Sequence, residues 1–293
     1  MKIIDNFDLK NKNSWGIGGH AARALVPDNL EQLQQWLKSD SSDNLFWLGL
    51  GSNVLIADGV VDVTLVQPRG FLRRAYMDRH VFVVESGVNC ARIAKDMARA
   101  GYRDAVFFCG IPGTMGGALR MNAGAFGGET WTHVVFVDVM MPDGRIERMD
   151  PSDFDVSYRH VAMPVDGWFV RAGLSFSEHY NVSQQSFIGD CLRKRMLSQP
   201  VGELSCGSVF KNPSNGYAAQ YIESAGLKGF KIGQAEVSQM HANFMINRGD
   251  CTADDMYALI CGVRQRVYEQ HGVVLEPEVH CVGFEPIADL VLP

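Results

Sequence analysis

Apolar residues recur every three or four positions in parts of the chain, and this spacing places them on one face of a helix. The stripe is clearest in residues 28–38 and 253–271. The second segment begins at Thr252 with Asp255 three residues later, which is the sequence pattern of a capping box. The predicted helices cover residues 28–38, 89–100, 178–200, 218–225 and 253–271.

Short runs of β-branched and aromatic residues alternate with these helices and predict strands. Asp143-Gly144 lies between two such runs, and this dipeptide favours a tight hairpin turn. The predicted strands cover residues 46–48, 61–66, 81–85, 134–141, 145–149, 168–176 and 243–247. Helices and strands are mixed along the whole chain, which predicts an α+β fold.

Length and composition predict more than one domain. A chain of 293 residues with 46% hydrophobic content can bury a large core and typically divides into about two domains. Pro200 ends the polar, helix-like segment 178–200, and proline cannot continue a helix. We therefore predict a first domain over residues 1–200 and a second over residues 201–293.

Two glycine-dense segments interrupt the periodic pattern, at residues 49–55 and 110–124. Glycine lets backbone N–H groups approach a ligand without a Cβ in the way, so two such loops can wrap a pyrophosphate with main-chain donors. The pair therefore predicts a dinucleotide site. The candidate cofactor-binding residues are Gly49, Gly51, Ser52, Asn53, Val54, Leu55, Gly110, Ile111, Pro112, Gly113, Thr114, Gly116, Gly117, Ala118, Asn122, Ala123 and Gly124.

These loops do not match the two commonest nucleotide-binding patterns. Val54 stands where the Rossmann fingerprint has its third glycine. The second loop lacks the Gly-Lys-Ser/Thr ending of a P-loop. The departures favour a nucleotide fold of another class. The alternative is that both segments are ordinary turns of a glycine-rich globular protein.

Charge and cysteine usage narrow the class of protein. The net charge of −6 and the scattered basic residues exclude the electrostatic footprint of a nucleic-acid-binding protein. The N-terminus has no signal-peptide core, and no apolar run is long enough to span a membrane. The 7 cysteines include no Cys-x-x-Cys pair, and the histidines have no metal-binding spacing. We expect a cytoplasmic protein with free thiols and no metal site.

Three polar positions are candidates for catalysis. Ser208 lacks the second glycine of a nucleophile elbow, so proton donation suits it better than nucleophilic attack. Arg159 lies in a Ser-Tyr-Arg-His run, and a planar guanidinium can grip a carboxylate or phosphate. Glu278 follows a proline on a predicted strand, and a buried carboxylic acid can donate to an enolate.

Each of these residues also has a plainer interpretation. Ser208 can be an ordinary strand serine, Arg159 a surface arginine and Glu278 an exposed carboxylate. A histidine such as His241 is more often a satisfied core or rim histidine than a ligand. The residue types alone leave these alternatives open.

Several longer motifs follow one another in a fixed order. They are NSWGIGG, GLGSNVLI, GIPGTMGGALRMNAGA, SYRH, SQP, GSVFKNP, AGLKGFKIGQAEVSQMHANFMIN and LEPEVHCVG. In this order they resemble the UDP-N-acetylenolpyruvoylglucosamine reductase (MurB) family over residues 10–285. Only residues 177–207 separate the last predicted strand of the first domain from Ser208. The chain therefore resembles the shorter type of this family, which lacks an inserted substrate-binding loop.

This resemblance implies a vanillyl-alcohol-oxidase-type fold. Two α+β subdomains, residues 1–66 and 67–200, would hold FAD non-covalently, and a smaller C-terminal α+β domain, residues 201–293, would bind the substrate. The implied reaction belongs to peptidoglycan precursor synthesis. NADPH, a co-substrate, reduces FAD, and UDP-N-acetylglucosamine enolpyruvate then takes hydride from flavin N5 at C3 and becomes UDP-N-acetylmuramate. The implied partners are these small molecules only, without nucleic acid or membrane, and the implied state is a monomer.

The resemblance also implies individual roles. Ser208 would protonate C2 of the substrate, while Glu278 and Arg159 would stabilise the enol intermediate. The implied substrate-binding residues are Tyr158, Lys211, Asn212 and His241. Two rival classes stay open at this point: a related flavin oxidase that uses O₂, and a binding protein that keeps the fold without catalysis.

Overall fold

The computed structural model describes residues 1–39, 44–177 and 185–286. The chain forms two compact units, each assembled from three segments. Unit 1 comprises Met1–Ile4, Arg23–Leu50 and Val63–Arg195, and unit 2 comprises Asp5–Ala22, Gly51–Asp62 and Met196–Pro293. The domains predicted from the sequence, 1–200 and 201–293, are contiguous. The compact units are not, because residues 5–22 and 51–62 pack and pair with C-terminal residues.

The strands are short, and most belong to small sheets. In chain order they are β1 (Lys2–Asp8), β2 (His20–Val26), β3 (Leu45–Trp47), β4 (Val54–Ile56), β5 (Val60–Val66), β6 (Ala75–Asp78), β7 (Val81–Glu85), β8 (Gly124–Ala125), β9 (Gly128–Glu129), β10 (Val134–Met140), β11 (Ile146–Met149), β12 (Asp155–Ser157), β13 (His160–Ala162), β14 (Trp168–Leu174), β15 (Lys231–Ile232), β16 (Ala235–Val237), β17 (Met245–Asn247) and β18 (His280–Val282). One sheet has four strands, in the order β1-β2-β5-β3.

The α-helices of the described residues alternate with these strands. They are α1 (Leu30–Ser39), α2 (Cys90–Arg99), α3 (Met115–Met121), α4 (Gln185–Ser198), α5 (Ala218–Ser224) and α6 (Ala253–His271). In the described parts of the chain, no helix combines the length and apolar character that a bilayer crossing requires.

Unit 1 is built on an antiparallel sheet of five strands in the order β11-β10-β14-β7-β6. Alternate residues of its strands face a core that includes the inner sides of α2 and α3, with Ile93, Met97 and Leu119 at 2% exposure or less. A second cluster packs α1 against Met140 and Val170 of the same sheet. The two clusters bury both faces of the central strands, which fixes the loops at the strand ends.

Unit 2 has its core around α6, whose inner residues are fully buried. The strands β15, β16 and β17 form one small antiparallel sheet, and β18 pairs with β4 in parallel. Trp15, which is 0% exposed, donates its indole N–H to the carbonyl of Met245 at 2.8 Å. An N-terminal segment is thereby built into the same core as the C-terminal helix.

Most predicted elements are present with boundary shifts of a few residues. The capping box of α6 is confirmed, since the Thr252 hydroxyl accepts from the Asp255 N–H and the Asp255 carboxylate accepts from the Thr252 N–H. Residues 178–184 of the predicted helix 178–200 lie outside the described residues, and α4 occupies the rest. The prediction missed α3, because Gly116 and Gly117 in its first turn have poor helix propensity.

Candidate functional site

The second glycine loop lies in unit 1 and leads into α3, with Thr114 at the N-cap position. Several of its backbone groups are engaged within the protein. The N–H of Met115 donates to the carbonyl of Val88 and the N–H of Gly116 to that of Ser86, both at 2.8 Å. These donors hold the loop in place and cannot also bind a phosphate. The cradle of main-chain donors is therefore smaller than the glycine pattern indicates.

Two buried hydroxyl groups beside this loop have no partner among the described residues: Ser86 Oγ and Thr114 Oγ1. The two residues are 0% and 1% exposed. An unpaired buried hydroxyl costs roughly 1–3 kcal/mol, so a ligand with acceptor oxygens would relieve both. Gly49 of the first loop lies against the same threonine, since a Cβ at Gly49 would be 2.6 Å from Thr114 Oγ1.

The same region leaves room for a ligand. A Cβ added to Gly117 would meet no described atom within 4 Å, and Gly117 is exposed in the first turn of α3. Open space beside unpaired buried hydroxyls suits a phosphate-bearing group. The residues present in unit 1 thus fit a pyrophosphate group.

The first glycine loop has a different role in its second half, which belongs to unit 2. Gly51 has a φ of +66°, and a Cβ there would be 2.1 Å from the carbonyl oxygen of Lys12. The Gly51 carbonyl accepts from the N–H of Ser14 at 2.9 Å. Glycine is required here by the close approach of another backbone segment. Val54 and Leu55 begin β4, so the loop ends in a strand.

Asn53 connects the first loop to the segment that carries Glu278. Its side-chain N–H donates to the carbonyl of Glu278 at 2.9 Å, and its own carbonyl accepts from the N–H of His280 at 3.1 Å. A residue predicted to bind cofactor therefore also fixes the backbone of a predicted catalytic residue.

Arg159 lies in unit 1, in the turn between β12 and β13. Its φ of +54° is in the left-handed region, which costs a non-glycine residue roughly 1 kcal/mol. The guanidinium donates to the carbonyls of Asn122 at 3.2 Å and Gly124 at 2.9 Å, and lies 5.0 Å from the Tyr158 ring centroid. The structure thus brings two predicted catalytic or substrate-binding residues, Arg159 and Tyr158, to the end of the second glycine loop.

Asn122 itself serves the fold of unit 1. It is 3% exposed, and its amide oxygen accepts from the N–H of Trp131 at 3.1 Å. Its amide nitrogen donates to the Glu129 carboxylate and to the Ser157 carbonyl. With its side chain and its carbonyl so engaged, Asn122 holds the end of the second glycine loop in place.

Ser208 precedes a backbone segment, residues 209–211, that is hydrogen-bonded on both sides within unit 2. On one side the N–H of Val209 donates to the Asn243 carbonyl at 2.9 Å, and Ser208 forms a bridge with Phe244. On the other side the N–H of Glu278 donates to the Val209 carbonyl at 2.7 Å. The structure therefore joins the segments of Ser208 and Glu278, which lie far apart in the sequence.

Asn243 is a buried residue of this site that the sequence prediction missed. It is 2% exposed, and its side-chain oxygen accepts from the N–H of Phe210 at 3.0 Å. Its side-chain N–H donates to the Phe210 carbonyl at 2.8 Å. A buried amide in an otherwise apolar run was the available signal, because such groups need partners.

The predicted substrate-binding residues of unit 2 lie on the same framework. Lys211 Nζ is 2.6 Å from Glu276 Oε1, with the lysine side chain 17% exposed. Asn212 accepts the N–H of Ala218 at 3.1 Å, at the start of α5. These two side chains therefore already have partners in the protein, which a substrate would have to share or replace.

His241 is half-buried, with its ring centroid 4.8 Å from that of Phe244. Burial lowers the pKa of His241 below its usual value. Its Nδ1 accepts from the N–H of Asn243 at 3.3 Å, so the neutral ring carries its proton on Nε2. His241 can thus donate one hydrogen bond from Nε2 at neutral pH.

Cys206 lies two residues before Ser208 and is 5% exposed. Burial raises the pKa of this thiol to about 12, and its Sγ lies 3.6 Å from the Val54 carbonyl oxygen. A protonated, buried thiol is neither a nucleophile nor a useful acid. Cys206 therefore fills space beside Ser208.

A separate cavity of about 440 Å³ lies over the unit 1 sheet and is lined by residues from all five of its strands. Asp138, 2% exposed, accepts hydrogen bonds there from Arg148 and Arg171, which line the cavity. Burial alone would raise the pKa of Asp138, but the hydrogen bonds and positive charges of the two arginines outweigh it and lower that pKa. This network braces three adjacent strands. Among the described residues, no cluster of potential ligands could hold a metal ion.

Comparison with known proteins adds a family to this geometry. Residues 199–282 match the family model described as UDP-N-acetylenolpyruvoylglucosamine reductase, C-terminal domain. Residues 21–150 match the model described as FAD binding domain. The FAD binding domain match includes the second glycine loop and both unpaired hydroxyls. The C-terminal domain match includes the Ser208 segment, whose backbone is hydrogen-bonded on both sides.

Individual relatives are similar over nearly their whole length. A protein of Alkalilimnicola ehrlichii named UDP-N-acetylenolpyruvoylglucosamine reductase is 46% identical over 271 residues, covering 92% of this chain and 91% of that protein. One of the same name from Coxiella burnetii is 43% identical over 303 residues, covering 96% of each. The crystal structure of the enzyme from Thermus caldophilus has a TM-score of 0.79 at 28% identity, covering 96% of this chain and 98% of that one.

Proposed function

The chain belongs to the UDP-N-acetylenolpyruvoylglucosamine reductase family, and on this premise we propose that it reduces UDP-N-acetylglucosamine enolpyruvate to UDP-N-acetylmuramate with NADPH. It is an FAD-dependent oxidoreductase of peptidoglycan synthesis. When bound, FAD would supply the hydride chemistry that couples oxidation of NADPH to reduction of the enolpyruvyl group at C3. The remaining steps belong to residues of the chain.

Unit 1 holds FAD without a covalent bond in this proposal. Thr114 and Ser86 would hold the pyrophosphate, since each has a buried hydroxyl that lacks a partner within the described protein. Gly117 would leave room for it, because no described atom lies within 4 Å of a Cβ placed there. Hydrogen bonds to a charged acceptor are the strong ones, at roughly 1.5–3 kcal/mol each.

Ser208 donates the proton to C2 of the substrate. A neutral hydroxyl is a weak acid, so the step requires a basic enolate held close to it and a nearby positive charge for the alkoxide. We assign this role to Lys211, the cation of the hydrogen-bonded segment 209–211. Its ion pair with Glu276 at 2.6 Å keeps the ammonium in one place.

Arg159 and Glu278 stabilise the enol intermediate, by charge and by hydrogen bonding respectively. The Arg159 guanidinium is oriented by the carbonyls of Asn122 and Gly124, so it is preorganised for an anion. The backbone of Glu278 is held by Asn53 and Val209. Tyr158, Asn212 and His241 are proposed to contact the substrate.

The observation that carries the proposal is the hydrogen-bonded pairing of the Ser208 and Glu278 segments, through the 2.7 Å bond between Glu278 N–H and the Val209 carbonyl. The test incubates the purified protein with NADPH and UDP-N-acetylglucosamine enolpyruvate and identifies the product by mass spectrometry. We expect UDP-N-acetylmuramate, with one solvent deuterium at C2 when the reaction runs in D₂O. NADPH consumption with hydrogen peroxide formation and unchanged substrate would instead indicate an oxygen-using flavin oxidase.

A further inference from the structure

One buried residue, Asn243, makes the hydrogen bonds to residues 209 and 210 that a neighbouring strand would otherwise make. Asn243 both accepts from the N–H and donates to the carbonyl of Phe210, at 3.0 and 2.8 Å. Its own carbonyl accepts from the N–H of Val209 at 2.9 Å. One asparagine therefore satisfies three backbone groups of two consecutive residues, immediately after Ser208.

The opposite edge of the same segment is equally fixed. Its bonds run to residues 276–278, with Lys211 N–H to the Glu276 carbonyl at 2.9 Å and Glu278 N–H to the Val209 carbonyl at 2.7 Å. Asn53 in turn binds the Glu278 carbonyl. A sliding or rotation of residues 209–211 would break bonds on both edges, and the Asn243 side chain supplies two of them.

Burial makes the Asn243 amide hard to replace. Phe210 is 1% exposed and Asn243 is 2% exposed, so water cannot substitute for a lost partner at either group of Phe210. If the amide donor is lost, the Phe210 carbonyl must move to find another one. Ser208 lies two residues before that carbonyl, and Asn243 also accepts from the N–H of Val209 between them. A shift of Asn243 and residues 209–210 therefore displaces Ser208, and displacements of about 1 Å can cost about a hundredfold in rate at a reacting centre.

We infer that Asn243 is a positioning residue for proton donation by Ser208, acting through the backbone of Phe210. The inference rests on the proposed function, because it assigns Asn243 to the step in which substrate is protonated. It concerns the reoxidation of reduced enzyme by substrate and leaves the reduction by NADPH unaffected.

The test uses Asn243→Asp, which keeps the shape of the side chain. The ionised carboxylate still accepts from the Phe210 N–H but cannot donate to the Phe210 carbonyl, whereas the protonated acid can do both. Burial raises the pKa of such a carboxyl. We expect reoxidation by substrate to be slowed at least about tenfold at high pH and to recover as the pH is lowered. Flavin reduction by NADPH should match the wild type throughout.

The paired segments carry other titratable residues. His241 lies on the Asn243 side, where its Nδ1 accepts from the Asn243 N–H, and Lys211, Glu276 and Glu278 belong to the segment and its other edge. Their effect is removed by taking the ratio of variant to wild-type rates at each pH. The matched control is Asn247→Asp. Asn247 is 5% exposed in the same unit and binds the Trp15 carbonyl at 2.9 Å, with no bond to Phe210. Its reoxidation rate per bound flavin should stay at the wild-type value.

Stopped-flow half-reactions give each outcome a meaning. If Asn243→Asp reoxidises at the wild-type rate, or loses both half-reactions together, the inference is overturned. If that variant does not fold, Asn243→Gln decides, since it keeps the amide but displaces it, and normal reoxidation by it would overturn the inference. A wild-type enzyme that substrate does not reoxidise would refute the proposed function instead, which separates the two failures.

Discussion

Replacing Thr114 with valine removes a buried hydroxyl and keeps the shape of the side chain. Thr114 is 1% exposed, and its Oγ1 has no hydrogen-bond partner among the described residues. In the protein without FAD the hydroxyl is desolvated and unpaired, so its removal should be neutral or stabilise the fold by about 1 kcal/mol. In the proposed complex with FAD the same change would remove a donor to a phosphate.

The expected loss in the complex follows from the strength of a hydrogen bond to a charged group. That bond contributes roughly 1.5–3 kcal/mol, which corresponds to a rise in the FAD dissociation constant of roughly 10- to 150-fold. Thr114→Val should therefore leave the free energy of unfolding of the apoprotein unchanged or raise it by about 1 kcal/mol, and it should weaken FAD binding. Urea denaturation of the apoprotein measures the first effect, and titration with FAD followed by flavin fluorescence measures the second.

Thr130 provides the matched control in unit 1. It is 0% exposed, and its hydroxyl donates to the Ala123 carbonyl at 2.7 Å. Thr130→Val should cost the apoprotein about 1 kcal/mol and leave FAD affinity within about twofold of the wild type. If Thr114→Val binds FAD as tightly as the wild type, the Thr114 hydroxyl does not contact the cofactor and the placement of the pyrophosphate is wrong.

Three further predictions test the fold and the site separately. Gly51→Ala should destabilise the protein by at least about 2 kcal/mol because of its positive φ and the 2.1 Å backbone contact, whereas Gly117→Ala should leave chemical denaturation unchanged or improved and weaken FAD binding. Ser208→Ala should slow flavin reoxidation by substrate by about two to four powers of ten in stopped-flow measurements, and equal slowing of the NADPH step would contradict its role. The lowered pKa of Asp138 means that its ionised form stabilises the fold above its ordinary pKa and that this contribution is lost as the pH falls through the lower folded value. The free energy of unfolding of Asp138→Asn should therefore depend less on pH in the acid range than that of the wild type, and parallel curves would refute the assignment.

Local sequence signals predicted the elements that local interactions determine. The strand over 81–85 was located at its observed bounds, and Thr252 began α6 as its capping box indicated. The glycine loops were located as well, although the residues alone could not say which of their N–H groups the protein itself would use. The N–H groups of Met115 and Gly116 donate to carbonyls between β7 and α2, at Val88 and Ser86. Only the folded structure reveals these partners.

Long-range pairing accounts for most of what the sequence did not predict. The parallel pairing of β4 with β18 joins residues 54–56 to residues 280–282, and no local pattern encodes such a partner. Asn243 was missed for the same reason, since its role depends on Phe210, far away in the chain. The motif resemblance located Ser208 and Glu278 as candidates, but their connection through Val209 is a result of folding.

The most direct test of the account is an anaerobic visible spectrum of the purified, FAD-loaded protein, recorded after NADPH and again after UDP-N-acetylglucosamine enolpyruvate. We expect NADPH to bleach the flavin absorbance and one equivalent of the enolpyruvate to restore it without oxygen. A flavin that NADPH bleaches but only oxygen restores would contradict the proposed substrate. A protein that binds no FAD would contradict the interpretation of the glycine loops and of the unpaired hydroxyls of Ser86 and Thr114.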